Sequence, residues 1–364
     1  MNSPNSATDR RAFLRTAAAA SAVALASPLG AAEPVRRRGI KLGYDNFAVR
    51  AMKWNARQLI DWAAQLKTDS LFITDFGPFE GKHDDAALGE IRKYAADHGL
   101  QTWLGSWSIC PTSRTFKKDW GTAGEHLALG IRMAKALGSP VFRVILGNGQ
   151  DRTTEGGIEA RIADTVKVLK AGRGRAVDAG VKIAIENHGG DMQAWELATL
   201  IEAAGRDFVG ANLDSGNAAW TMEDPVENLE ILGPYTLTTS LRDSAVWETP
   251  NGVTVQWCAM GEGTVDLKAY FDRFEKLCPN APVHIETISG FPRELPIYKN
   301  DANFWKAWPK MRGADLAKFI ALAKRGKSIP PHRSANNDEE QAYQRGEIER
   351  SIKYCKESLG LGLK

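Results

Sequence analysis

From residue 40 onward, short apolar runs alternate with longer stretches of helical spacing. IKLGYDN at 40–46 reads as a strand and the amphipathic NARQLIDWAAQL after it as a helix. SLFITD at 70–75 is followed by DDAALGEIRKYAADHG, with Gly99 as its C-terminal stop. TWLGSW at 102–107 precedes EHLALGIRMAKALG, and VFRVILGNG at 141–149 precedes IEARIADTVKVLKAGRGRAVDAG. VKIAIE begins the second half, with WELATLIEAAG behind it, and FVGANLD leads to the shorter PVENLEILG. YTLTTSLRD at 235–243 is the seventh strand, before a long loop and VDLKAYFDRFEKL; VHIET is the eighth, with ADLAKFIALAKRG among the segments after it. Eight β–α units in a row predict a parallel sheet, and their number favours a closed (β/α)8 barrel of the α/β class. An open doubly wound sheet is the rival, but no GxGxxG follows the first strand.

The two ends read differently from the barrel. Arg10 and Arg11, then Phe13 and Leu14, lead into an Ala-rich apolar stretch and the small residues Gly30, Ala31 and Ala32. That order of charged, apolar and small regions has the form of a twin-arginine export signal, so a periplasmic or secreted protein is expected. A disordered basic tail or an anchoring helix is the alternative. The expected organisation is a leader at 1–32, a linker at 33–39 whose arginines are solvated, a barrel at 40–327 and a polar, partly helical extension at 328–364. Cleavage near Ala32 removes three arginines and one aspartate, lowering the formal charge from +3 to +1. Such a near-neutral protein has no electrostatic footprint for nucleic acid. No stop-transfer run is present, so no stable membrane insertion is expected after cleavage. A homodimer paired through helices or the C-terminal extension is possible. The four cysteines are scattered without a CxxC pair, and sequence alone cannot pair them.

Chemistry concentrates where three strands stop. VKIAIENH, FVGANLDSGN and PVHIETISG each end abruptly in a carboxylate: Glu186, Asp214 and Glu286. A lone carboxylate after a strand is usually a cap or a surface charge. Three of them on strands five, six and eight of one barrel converge at its C-terminal face, where they repel one another unless a cation holds them. Oxygen-rich ligation suits Mg²⁺ or Mn²⁺, and a histidine ligand would widen the choice to Co²⁺ or Zn²⁺. His188, Arg143, Asn217, Arg242, Gln256, Trp107 and Trp257 are the candidate substrate-binding residues, with Gln256 and Trp257 in a loop suited to a lid.

The segments IENHGG, NLDSGN, SLRD, GEGTVD at 261–266 and the IET of the last strand resemble the xylose-isomerase-like TIM barrels, over roughly residues 40–325. The resemblance implies a metal held by Glu186, Asp214 and Glu286, with a histidine after strand seven. Ser240 stands at that histidine's position, so its part as a ligand is doubtful. The resemblance also implies proton movement next to a carbonyl through an enediolate, with Glu186 and Glu286 as the acid–base pair. A sugar isomerase or epimerase is the leading expectation. A lyase or dehydratase on a keto-sugar or 3-keto-glycoside shares the same first step. A sugar-binding barrel without catalysis is the non-enzyme alternative. A nuclease-like hydrolase is disfavoured, because the chain has only six dispersed histidines.

Overall fold

In a computed structural model that describes residues 35–364, the expected strands form a single parallel sheet. They are β1 (Leu42–Asp45), β2 (Ser70–Ile73), β3 (Gln101–Ser108), β4 (Val141–Ile145), β5 (Lys182–Glu186), β6 (Val209–Leu213) and β7 (Thr236–Thr239). An antiparallel pair follows, β8 (Asp243–Thr249) and β9 (Gly252–Cys258), then the last barrel strand β10 (Val283–Ile285) and a short β11 (Pro292–Leu295). The barrel order is β10–β1–β2–β3–β4–β5–β6–β7. Closure comes just past β7: Leu241 N–H donates to the His284 carbonyl at 2.7 Å, and Glu286 N–H donates to the Leu241 carbonyl at 2.8 Å. The protein is a (β/α)8 barrel.

Local chemistry sets the helices between these strands. Asn55 and Gln58 cap the helix Ala56–Gln65 reciprocally, and Thr122 and Glu125 do the same for Ala123–Leu137. The second of these stops at Gly138, whose φ of 78° lies in the left-handed region that glycine enters without strain. Strand and helix faces meet in one continuous core that includes Leu42, Ile73, Leu104, Leu127, Ile183, Leu197, Leu213 and Phe271. Inside the barrel His284 lies between Phe72 and Trp103, its Nε2 3.0 Å from Ser70 Oγ and its Nδ1 3.2 Å from Thr238 Oγ1. Burial lowers its pKa to about 3, so it is a neutral core histidine.

Three features differ from the sequence expectation. The long loop after strand seven is instead the hairpin β8–β9, which β11 extends into a three-stranded antiparallel sheet. That sheet has its own apolar cluster, with Val246, Val253, Val255 and Leu295 against Phe319 and Leu322. The linker arginine Arg38 is not solvated; it pairs with Asp272 at 2.7 Å and donates to the Leu359 carbonyl at 2.9 Å. The C-terminal extension contributes Ile348, Ile352 and Cys355, on the helix Asn337–Glu357, to the main core. Beyond that helix, Gly362 N–H donates to the Ile40 carbonyl at 2.8 Å. All four cysteines are buried free thiols. The expected leader lies outside the described residues.

Candidate active site

The carboxylates expected at the strand ends converge. One oxygen from each of Glu186, Asp214 and Glu286 lies within 4.8 Å of the others, and all three residues are buried. A fourth, Asp45 at the end of β1, joins the same cluster. Its Oδ1 accepts from Phe47 N–H at 2.9 Å and from the Thr74 hydroxyl at 2.7 Å, and its Oδ2 accepts from the Ser240 hydroxyl at 3.1 Å. Asp45 ends its strand in YDN just as Glu186 ends its own in ENH, so the same reading applied to the first strand identifies it.

Two buried guanidiniums pair with these acids. Arg143, within β4, donates from Nε to Glu186 Oε2 at 2.6 Å, and its Nη2 pairs with the same oxygen. Its Nη1 donates to the Ser106 carbonyl at 2.9 Å, which fixes the fork. Arg242, just past β7, places one nitrogen, Nη2, between Asp214 and Glu286 and pairs with both. Asparagines complete the shell. Asn212 donates to Glu186 Oε2 at 2.8 Å, and Asn217 donates to Asp214 Oδ2 at 2.6 Å and Glu186 Oε1 at 3.2 Å. Glu286 Oε1 makes no hydrogen bond among the described residues.

The charges do not cancel if every group is ionised, since four carboxylates face two guanidiniums. Burial raises the carboxyls of Asp45, Asp214 and Glu286 above their usual range. That direction favours the neutral forms and so works against the excess of negative charge. The donor set suits a hard divalent cation in chemistry: three carboxylates, within reach of one another. It does not suit one in position. Two of the three acids already share Arg242, and the third is saturated by Arg143, Asn212 and Asn217. Ser240, at the expected histidine position, turns its hydroxyl to Asp45 and accepts from Asn212 at 3.2 Å. In this arrangement the residues present do not fit a metal.

A cavity of about 650 Å³ opens over the cluster. Trp107, Arg143, Glu186, His188, Asn217, Arg242, Trp257 and Glu286 all line it, so eight of the sequence candidates share one space. Asp214 and Ser240 lie beneath them. His188 Nδ1 is 2.6 Å from the Gly147 carbonyl, which can only accept, so this nitrogen carries the proton. Burial, with Arg143 nearby, lowers the His188 pKa to about 4, leaving a neutral ring whose Nε2 is an acceptor. Gln256 is not brought to the cavity. Successive residues of a strand face opposite sides, so Trp257 points to the site while the Gln256 amide donates to the Pro330 carbonyl at 2.9 Å.

Several lining residues escaped the sequence reading. Phe291 and Arg293 come from the segment after the last barrel strand, where nothing in the local sequence marks a site. Trp220 and Trp257 stack at 3.9 Å between ring centroids, and the Arg293 guanidinium lies 4.3 Å over Trp220. Arg293 makes no ion pair among the described residues.

Fold and site together define a (β/α)8 barrel with an acidic, arginine-rich pocket at the C-terminal ends of its strands, where barrels of this kind carry their chemistry. The sequence pattern of the xylose isomerase-like TIM barrels matches residues 41–308, and the chain belongs to that family. It is 22% identical over 199 residues to a 3-oxo-isoapionate decarboxylase of Pectobacterium atrosepticum, covering 54% of this chain and 64% of that one. It is 25% identical over 146 residues to the Escherichia coli protein YihM, covering 38% of this chain and 44% of that one. The matched stretch thus spans less than two thirds of either relative. Among solved structures, D-psicose 3-epimerase from Clostridium cellulolyticum H10, with D-tagatose, superposes with a TM-score of 0.55 at 14% identity, over 86% of this chain and 98% of that one. The IolI protein with a bound zinc superposes with a TM-score of 0.54 at 16% identity, over 80% of this chain and all of that one. At such identities the likeness is one of fold, and that fold is shared with sugar epimerases.

Proposed function

We propose that this chain is a carbohydrate-acting enzyme that moves a proton next to a carbonyl, in the manner of a sugar isomerase or epimerase. The observation that carries the reading is Glu286. One of its oxygens is fixed by Arg242 and the other is unbonded, in a cavity large enough for a sugar and lined by indole faces. A sugar carbonyl seated against the guanidiniums presents its neighbouring C–H to Oε1. As that bond breaks, the proton goes to Glu286 and the electron pair moves to the carbonyl oxygen, forming an enediolate. Fixed cationic donors stabilise this developing charge without reorganisation. His188 Nε2 accepts from a substrate hydroxyl, and Trp107 covers an apolar sugar face. Glu186, tied to three donors, holds Arg143 in place and is the weaker half of the expected acid–base pair. Mn²⁺ or Mg²⁺, which three carboxylates suit best, would compete with Arg242 for Asp214 and Glu286, so each step here uses the guanidinium alone. Export through the twin-arginine route is part of the proposal, and a reporter fused to residues 1–38 tests it.

The test of the chemistry is solvent-deuterium exchange into a panel of keto-sugars, followed by proton NMR. Exchange next to the carbonyl by the wild type, slowed about 100-fold or more in Glu286→Gln, is the expected result. No exchange with any keto-sugar sinks the isomerase reading.

A second reading is favoured by Arg293, a cation in the same cavity without a carboxylate partner among the described residues. A substrate carboxylate would supply one, and the chain shares sequence with a decarboxylase. Loss of CO₂ from a 3-keto acid breaks the C–C bond to the carboxylate and sends its electron pair to the same carbonyl oxygen. The resulting enolate then takes up a proton at carbon. Release of CO₂ from keto acids, without exchange into neutral keto-sugars, would favour this lyase.

A further inference from the structure

We infer that Arg242 is the resident cation of the carboxylate cluster, standing where a divalent metal would otherwise sit, and that the folded protein takes up no metal there. The inference concerns the same pocket as the proposed function but does not depend on its substrate.

Position is the first argument. Arg242 Nη2 lies between Asp214 and Glu286 and bonds to both, so one nitrogen does for these two acids what a shared ion would do. The other ligands a metal needs are engaged elsewhere. Both oxygens of Glu186 accept from Arg143, Asn212 or Asn217, and Ser240 offers a hydroxyl, already bonded to Asp45, in place of an imidazole.

The second argument is that the arginine is built in. Its guanidinium lies 4.4 Å over the Trp257 ring. That ring is pinned by its own Nε1–H, which donates to the Gly216 carbonyl at 2.9 Å, and by the stack on Trp220. Gly216 also makes room for the arginine stem, because a Cβ there would lie 2.5 Å from Arg242 Cγ and 2.6 Å from Cδ. A side chain waiting to swing aside for an ion needs none of these supports.

The third argument is what remains free. Arg242 lines the cavity, its Nη1 makes no hydrogen bond among the described residues, and its Nε is a buried donor without a partner. A substrate oxygen in the cavity would satisfy Nη1, so the guanidinium can act directly as the electrophile for a carbonyl.

The full chain, stripped with a chelator and returned to Mn²⁺, tests the inference through the EPR signal of free Mn²⁺, with elemental analysis for Mg²⁺, Co²⁺ and Zn²⁺. The wild type should leave the Mn²⁺ signal unchanged, and Mn²⁺ should not shift its melting temperature. Arg242→Ala combined with Ser240→His frees two acids and restores an imidazole; it should bind about one ion per chain and melt higher with Mn²⁺. Uptake of about one ion per chain by the wild type, lost in Glu286→Gln, overturns the inference. If the double variant does not fold, the wild-type titration decides alone. A metal-free wild type that exchanges no deuterium would count against the proposed function and leave the arginine's place untouched.

Discussion

Gly216 and Arg242 are a matched pair: the missing side chain at 216 is the space the arginine stem occupies, with 2.5 Å between a would-be Cβ and Arg242 Cγ. The glycine sits in the short helix Ser215–Trp220, where alanine is acceptable to the backbone. Gly216→Ala therefore acts through sterics, pushing Arg242 away from Asp214, Glu286 and the Trp257 face. Overpacking of this kind costs about 1–3 kcal/mol. The expected outcome is a lower melting temperature together with loss of deuterium exchange. A variant that keeps full exchange would show that Arg242 need not be held where it is.

A different buried pair supports the fold without touching the cavity. Arg152 meets Glu196 as a fork, Nη1 to Oε2 at 2.8 Å and Nη2 to Oε1 at 2.9 Å, under the Trp308 ring at 3.8 Å. Removing one partner strands the other charge out of water, which costs roughly 3–5 kcal/mol. Arg152→Met should lose about that much in urea unfolding, and Arg152→Met with Glu196→Gln clearly less. Equal losses in the single and double variants would mean the cost is lost packing on Trp308 and lost hydrogen bonds to the Asp191 and Ala307 carbonyls, and not a stranded carboxylate.

Acid should weaken the protein through His126. The ring is buried on the helix Ala123–Leu137, its Nε2 2.8 Å from Ser106 Oγ, and burial lowers its pKa from 6.5 to about 4. Between those values the unfolded chain binds a proton that the folded chain refuses, so stability falls as pH drops from 6.5 toward 4. The slope is about 1.4 kcal/mol per pH unit, roughly 3 kcal/mol across the window. Unfolding at several pH values in this range should show a shallower loss for His126→Gln. Parallel curves would remove His126 from the account.

The barrel was legible because most of its strands are short runs rich in apolar residues that stop at or just before a polar one, as KIAIE does at Glu186 and VGANL does before Asp214. The strand-end rule that singled out Glu186, Asp214 and Glu286 reads those ends directly. The hairpin is missed in that reading, which takes GVTVQWC as part of a loop although Asn251-Gly252 at its start is a hairpin turn signal. Its strand character comes from pairing with β8 and β11, and β11 is a four-residue segment whose own sequence carries no such signal. Arg242 was visible as a polar residue after strand seven, but its role was not. Its partners lie 28 and 44 residues away in sequence, and only barrel closure brings them to one nitrogen. Charge repulsion pointed to a divalent metal among the three acids; residue type alone could not say that Arg143 and Arg242 would pair with them.

Arg293 separates the two functional readings most sharply, because it lies over Trp220 at the cavity and has no acidic partner among the described residues. Burial disfavours its charged form, lowering its pKa, and the arginine stays protonated nonetheless. A substrate carboxylate placed against it would form charge-assisted hydrogen bonds that a neutral hydroxymethyl cannot match. Two substrates differing only in that group should therefore respond unequally to Arg293→Met. For the acid, KM should rise about tenfold or more; for the neutral sugar, KM should hold within about twofold. Trp107→Ala is the control, since losing an indole of the cavity that does not support Arg293 should weaken both substrates alike. If Arg293→Met harms both equally, the arginine only buttresses the Trp220–Trp257 stack, and the isomerase reading gains over the decarboxylating one.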